Sequence, residues 1–249
     1  MKGVDSTQMI TPTLRDLNSR HRDLYDVLAD EYEARVPALA SITELALTWS
    51  AAHLPAGASV LDVGCGPGAA LAVLCRLGFR VTGIDISPEM TARAARRAPQ
   101  ATVITGDVLT HPFARPFLGI NAFAFIHLFP AAEVPRVLRR LHDLLVPWEG
   151  RMLISTTREV VSAEGLEPKA DYPGLPLRFR KHWRPEELEL ALRRARFEIL
   201  DERDHADPLG KLWMDYIVRA PRLLGRGLGL GRADDAPRPR PLLLPRPNA

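Results

Sequence analysis

Between residues 61 and 68 the chain reads Leu61-Asp62-Val63-Gly64-Cys65-Gly66-Pro67-Gly68, an apolar run that closes on an acid and then on a glycine turn. Glycines carry no Cβ, so the backbone can turn tightly there and come close to a ligand. A helical pattern opens near Ala69, and the first N–H groups of such a helix can face the same ligand. The acid decides which ligand suits the turn. A carboxylate repels a pyrophosphate but attracts an ammonium or sulfonium group. Gly64-x-Gly66-x-x-Ala69 also fits the permissive dinucleotide fingerprint, so a nicotinamide or flavin coenzyme stays open as the alternative. Asp62, the extra glycine at Gly68 and further acids downstream favour the cationic ligand.

The elements that must position this turn alternate through the middle of the chain. Strands are expected at Ser59–Val63, Arg80–Ile84, Thr102–Thr105, Ile120–Phe125 and Arg151–Ser155, with helices at Ala69–Leu77, Pro88–Ala98 and Ala131–Leu145. Ser87 followed by Pro88 is a helix cap with proline at the first helical position. That alternation predicts an α/β fold, a mostly parallel sheet with helices on both faces. An irregular stretch rich in Gly, Pro, Arg and aromatic residues follows to Trp183. A helix at Pro185–Arg194 and two strands, Phe197–Arg203 and Lys211–Val218, then end the sheet with one antiparallel strand. Upstream, Leu14–Arg35 and Ala38–His53 read as helices capping the sheet. The expected organisation is a helical cap over 1–57, a ligand-binding domain over 58–220 with an insertion at 157–184, and an Arg/Pro-rich, disordered tail at 221–249.

Composition excludes several classes. The 249 residues suit one α/β domain with a short extension. Two cysteines point to no disulfide framework and a reduced, cytoplasmic setting. The first ten residues lack the apolar stretch of a secretory signal, and no apolar run approaches the ~20 residues needed to cross a bilayer. From Pro221 onward six arginines face two aspartates, a net of +4, so the chain's total of +3 leaves −1 for residues 1–220. A near-neutral body does not provide the basic face that phosphate backbones require. No residues are assigned to a metal.

With these residues in place, the chain resembles the class I S-adenosylmethionine-dependent methyltransferases that act on small molecules, over about Tyr25 to Val218. The resemblance implies a Rossmann-like seven-stranded sheet whose last strand is antiparallel. It implies S-adenosylmethionine as cofactor, its methionine part cradled by Gly64, Cys65, Gly66 and Gly68 with Asp62 as the motif's acid. Asp85, in Gly83-Ile84-Asp85-Ile86-Ser87, would accept both ribose hydroxyls, a role for which a carboxylate is apt. Gly106, Asp107 and Val108 would clamp the adenine, with Ile86 and Met90 on its faces. Asp107 could instead start the next loop, and Met90 could be helix core. Ala122 and Phe123 fall where the family's fourth strand lines the donor pocket, and Tyr32 and Tyr25 where a helix closes over it. Tyr25 is placed against the acceptor; both tyrosines could equally be core residues of a helix stripe. The Asp common in the family's fourth strand is missing from Phe117-Leu118-Gly119-Ile120, which puts local packing in doubt.

The implied reaction is methyl transfer to an O, N or C atom of a small metabolite. His127, just past a central strand, is the candidate base or acceptor-orienting group, with a loop histidine as the plain alternative. The insertion would roof the acceptor, with Asp171, Tyr172, Arg178, Arg180, His182 and Trp183 supplying charge and aromatic faces; the two arginines could pair a carboxylate or phosphate. No Asn/Asp-Pro-Pro-aromatic motif occurs, which argues against DNA. A donor-binding fold without methyl transfer, or an RNA methyltransferase guided by the tail, are the competing readings.

Overall fold

The computed structural model describes residues 13–221 apart from 170, 171, 173, 175 and 209. Asp171 and all but the first residue of the expected tail lie outside the described residues. Two helices come first, α1 (Leu14–Val27) and α2 (Ala29–Ala51). Then follow β1 (Ser59–Val63), α3 (Ala69–Arg76), β2 (Arg80–Asp85), α4 (Pro88–Arg97), β3 (Thr102–Thr105) and β4 (Gly119–Phe123). A short 3₁₀ turn at Ile126–Leu128 leads to α5 (Val134–Asp143) and β5 (Arg151–Thr157). The chain continues through β6 (Ala163–Pro168), β7 (Leu177–His182), α6 (Pro185–Arg194), β8 (Glu198–Ala206) and β9 (Leu212–Arg219).

Seven strands form one sheet in the order β3-β2-β1-β4-β5-β9-β8. The pairs from β3 to β5 are parallel, and β9 runs antiparallel to both β5 and β8. The order reverses at β1, which has β2 on one side and β4 on the other, so a crevice opens beyond their C-terminal ends. Strand alternation assigns side chains to the two layers. Leu61 and Val63 join Ile120, Met152 and the residues of α5 and α6, while Val60, Val81 and Leu153 meet α2, α3 and α4. Asp62 therefore emerges on the second face, between the apolar Leu61 and Val63 near the end of the strand.

The helical caps follow local chemistry. Thr13 Oγ1 accepts from Asp16 N at 3.2 Å, and Asp16 in turn accepts from the Thr13 backbone. Ser87 Oγ accepts from Met90 N at 3.0 Å, as expected of the Ser-Pro start. Both cysteines are free. No helix among the described residues is long and apolar enough to cross a membrane.

Three expectations need correction. The upstream helices break at Leu28, and α2 runs on through Pro37. The expected division lay between Arg35 and Ala38. Burial of Leu28 and Ala29 sets the bend instead, laying α1 against α4 and β7 and α2 against α3. The fourth strand ends at Phe123, because Ala124 adopts φ 54° and its N–H bonds Ser155 O at 2.8 Å. The stretch expected to be irregular contains the antiparallel hairpin β6–β7. Its pattern escaped notice because Lys181, only 5% exposed, occupies the inward position after Phe179 where alternation calls for an apolar residue.

Candidate functional site

A cavity of about 440 Å³ lies at the C-terminal ends of the parallel strands, roofed by α1, α2 and the β6–β7 hairpin. β1, β2 and β3 each present an acid to it: Asp62, Asp85 and Asp107. Asp62 is 2% exposed. Its Oδ1 accepts from the Asn121 amide, and its Oδ2 is buried with no hydrogen-bond partner. Burial pushes its carboxyl up to about 7, against the opposing effect of the Asn121 bond. Register explains the Asn121 contact, since Asp62 of β1 lies opposite Asn121 of β4.

Asp85 ties two turns together. Its Oδ2 accepts from Gly66 N and its Oδ1 from Ser87 N, both at 2.9 Å. Burial raises its carboxyl and these backbone bonds oppose the shift. Each oxygen keeps a further lone pair for a hydroxyl. Gly66 N–H therefore serves Asp85, and Gly68 N–H bonds Cys65 O at 3.0 Å, so neither points at a ligand as the turn alone suggests. Asp107 is held similarly: Oδ2 accepts from Asn18 Nδ2 of α1 and Oδ1 from Leu109 N, each at 2.8 Å. It thus starts the following loop and also faces the cavity.

Gly64, Cys65, Gly66, Ile86, Met90, Gly106, Val108 and Phe123 all line the cavity, as do Tyr25, Tyr32, His127, Tyr172, Arg178 and Arg180. Gly68, Ala122, His182 and Trp183, also expected there, do not. Gly68 (φ 84°) starts α3, and a Cβ there would fall 2.7 Å from Ala94 Cα, so its glycine serves the packing of α3 on α4. Ala122 is wholly buried inside the sheet, because its position alternates away from the crevice. Trp183 is 3% exposed in the core beneath α6, with Lys181 Nζ 5.0 Å from its ring. Where the missing fourth-strand Asp put packing in doubt, Leu54 closes over Gly119, and Ser59 Oγ accepts from Leu118 N at 3.2 Å.

The roof is aromatic and cationic. Tyr25 and Tyr32 meet edge to face at 5.4 Å, and Tyr32 stacks on Tyr172 at 5.0 Å. Arg35 lies 3.9 Å from the centre of the Tyr172 ring, and Lys169 Nζ lies 4.2 Å from it. Burial raises both Tyr25 and Tyr32, which stay protonated. Arg180 is matched internally: it donates to Thr157 Oγ1 at 2.6 Å and pairs with Glu159 at 3.0 Å and Glu167 at 3.4 Å. His182 shares Glu167 at 2.6 Å. An acceptor anion on Arg180 would compete with those carboxylates.

His127 is 4% exposed, with Nδ1 3.2 Å from Thr156 Oγ1. Burial, and then the charges of Arg178, Arg180, Lys169 and His21, hold it well below the usual histidine range. It is neutral at physiological pH, offering one donor and one acceptor. His21 is held down to about 4, mainly by burial.

Sequence reasoning missed Asn18, Asn121, Arg35, Lys169 and Trp213. Trp213 stacks on Phe123 at 5.1 Å and both line the cavity. These contacts join residues far apart in sequence, for which no local signal exists. No group of His, Cys, Asp and Glu suited to a metal occurs among the described residues.

The arrangement fits a donor that combines an adenosine with a cationic amino acid part. Buried carboxylates are suited to a diol and to a positive charge, and Asp62 Oδ2 is buried without a hydrogen-bond partner.

Known proteins share this architecture. A family model described as a methyltransferase domain matches residues 60–148. The dTDP-3-amino-3,6-dideoxy-alpha-D-glucopyranose N,N-dimethyltransferase of Streptomyces fradiae is 30% identical over 138 residues, 53% of this chain and 51% of that protein. The ubiquinone biosynthesis O-methyltransferase of Xanthomonas axonopodis is 28% identical over 176 residues, 66% of this chain and 72% of that one. The matched stretch spans only about half the length of the first of these relatives. Among solved structures, 1,6-didemethyltoxoflavin-N1-methyltransferase of Burkholderia thailandensis has a TM-score of 0.71 at 22% identity. It covers 89% of this chain and 99% of its own, and carries bound 1,6-didemethyltoxoflavin and S-adenosylhomocysteine.

Proposed function

We propose that this chain, which belongs to the class I S-adenosylmethionine-dependent methyltransferases, transfers a methyl group to an O, N or C atom of a small metabolite. One observation carries the reading: three carboxylates from adjacent strands converge on one cavity, and one of them has a buried oxygen without a partner. The relatives include enzymes named for N-methylation of amino sugars and O-methylation in quinone synthesis, which fits a small acceptor and leaves the atom open. A cytoplasmic setting is part of the proposal, supported by two unbridged cysteines.

Asp85 and Asp107 would hold the nucleoside part, and Asp62, with the turn at Gly64–Gly66, the amino acid part. When bound, the donor would supply an electrophilic methyl group on a positively charged sulfur, with the neutral thioether as the leaving group. The protein's share is alignment, bringing reacting atoms to about 3–3.5 Å before reaction. The tyrosine roof keeps water out, which favours a step in which charge disperses. His127 orients the acceptor by hydrogen bonding; its depressed basicity makes it a poor proton acceptor.

Incubation with donor labelled on the methyl group and a metabolite extract tests the function. Label in a small molecule supports it, whereas bound but untransferred donor overturns it. For His127→Ala the expected outcome is acceptor KM raised about 3–10-fold, the worth of one neutral hydrogen bond, with a smaller fall in kcat. An unchanged KM and kcat would remove His127 from the site.

A further inference from the structure

Register sets two polar side chains side by side within an apolar layer of the sheet. Asp62 of β1 lies opposite Asn121 of β4, Asn121 opposite Leu153 of β5, and Leu153 opposite Ile217 of β9. Asn121 is 2% exposed, between the buried Ile120 and Ala122. An asparagine there leaves its carbonyl Oδ1 buried without a hydrogen-bond partner, whereas a leucine would leave nothing unpaired. What the amide does instead is donate from Nδ2 to Asp62 Oδ1. That bond occupies one carboxylate oxygen. The other, Oδ2, stays buried and unpartnered on a residue that lines the cavity.

The rest of the surroundings work against a charge on Asp62. Burial disfavours the ionised form, and Asp85 of β2 adds a like charge. Cys65, in the following turn, is buried, and burial with the two carboxylates keeps its thiol protonated. Of the helices packed on this layer, α3 lines the cavity with Ala69 and Ala70, and the titratable residues that α2 adds are Tyr32 and Arg35. Against burial and Asp85, the Asn121 bond favours the carboxylate.

Resting on the donor reading above, we propose that Asn121 is a positioning residue for donor binding: its amide fixes one oxygen of Asp62, sustains the charge on that carboxylate, and leaves the second oxygen for the positive amino acid end of the donor. Asn121 does not itself line the cavity, so it acts through Asp62. Its removal therefore moves the pH at which the donor is taken up and does not abolish uptake, because an ionised Asp62 still attracts a cation. Without the amide Asp62 is a weaker acid, ionised only at higher pH, and affinity is lost on the acid side. One hydrogen bond to a charged group corresponds to about one to two pH units.

Calorimetry with S-adenosylhomocysteine on the full chain, from about pH 5 to 9, tests this. For Asn121→Leu the midpoint of the affinity profile should rise by about one unit or more. Binding near pH 7.5 should weaken about tenfold and recover toward wild type by about pH 9. In an Asp62→Asn background the same replacement should leave the profile unchanged, since the two residues act as one unit. An unmoved midpoint, or an equal loss at every pH as a mere packing defect would give, overturns the proposal. A second measurement needs only the wild type and Asp62→Asn. The chain has three asparagines, Asn18, Asn121 and Asn248, so their side-chain amide signals are readily told apart by NMR. The Asn121 amide should shift with pH around the midpoint of donor binding in wild type and stay still in Asp62→Asn. An amide indifferent to pH overturns the proposal even if the leucine variant fails to fold. Uptake by the wild type is measured first. If uptake occurs and the two profiles coincide, the role of Asn121 alone is wrong; if uptake itself fails, the donor reading falls and takes this one with it.

Discussion

Replacing Asp85 by alanine is expected to weaken binding of S-adenosylmethionine by about a hundredfold or more. Two charge-assisted hydrogen bonds to a diol are worth about 1.5–3 kcal/mol each. The same carboxylate also fixes Gly66 N and Ser87 N at 2.9 Å, so its removal loosens both turns that border the donor. Asp85→Asn retains the size and one acceptor oxygen but not the charge, and it should fall between wild type and alanine. Calorimetric titration with S-adenosylhomocysteine measures the effect, with a thermal melt to confirm folding. A loss under about fivefold would mean that Asp85 only clamps the two turns and that the diol is bound elsewhere.

The second large effect is a dependence on pH. Asp62 has a carboxyl raised to about 7 by burial, and a cationic ligand binds its ionised form. Donor affinity should be flat above about pH 8 and fall by roughly tenfold per unit below pH 7, about a hundredfold between pH 8 and 5. Asp62→Asn should flatten the profile and lower affinity at pH 8. Stability moves the opposite way. Ionised Asp62 costs the ligand-free fold free energy above pH 7, and that cost disappears as pH falls toward the unfolded value of 3.8. The asparagine variant should therefore be more stable at pH 8, on the order of 2–4 kcal/mol by the pKa difference, and no more stable near pH 4. Urea melts at the two pH values check the sign. A wild-type affinity independent of pH would show that Asp62 does not face the positive charge.

Much of the framework is readable because it is local. The strand, acid and glycine order around Asp62, the Ser87 cap and the acids ending β2 and beginning the loop after β3 each sit within eight residues. Periodicity likewise places α3, α4, α6 and the five parallel strands within a few residues of where they lie. What escapes is whatever depends on register between distant strands or on which face a hairpin presents. Asn121 matters only because β4 pairs beside β1, and Asp62 has no other side-chain partner there. Trp183 reads as part of the insertion that roofs the acceptor, yet just past β7 it enters the core with Leu188 and Leu192 of α6. Arg180 looked available for a ligand, and only the folded hairpin brings Glu159 and Glu167 to it. Lys169 gave no signal at all, since a lysine in a polar stretch normally faces solvent.

The first helices bear on how such a domain can be cut. Asn18 holds Asp107, Asp26 accepts from Ser87 Oγ at 2.5 Å, and Asp30 and Glu33 pair with Arg93 of α4, Glu33 with Arg97 too. A recombinant fragment trimmed to the stretch that begins at β1 would leave Arg97 without Glu33 and Arg93 with Glu89 alone, and would strip one wall from the crevice. Boundaries drawn from motif content alone would thus yield a sheet that is intact on paper but lacks the lining that Asn18, His21, Tyr25, Tyr32 and Arg35 supply, so expression work on this architecture should retain everything from Thr13 onward.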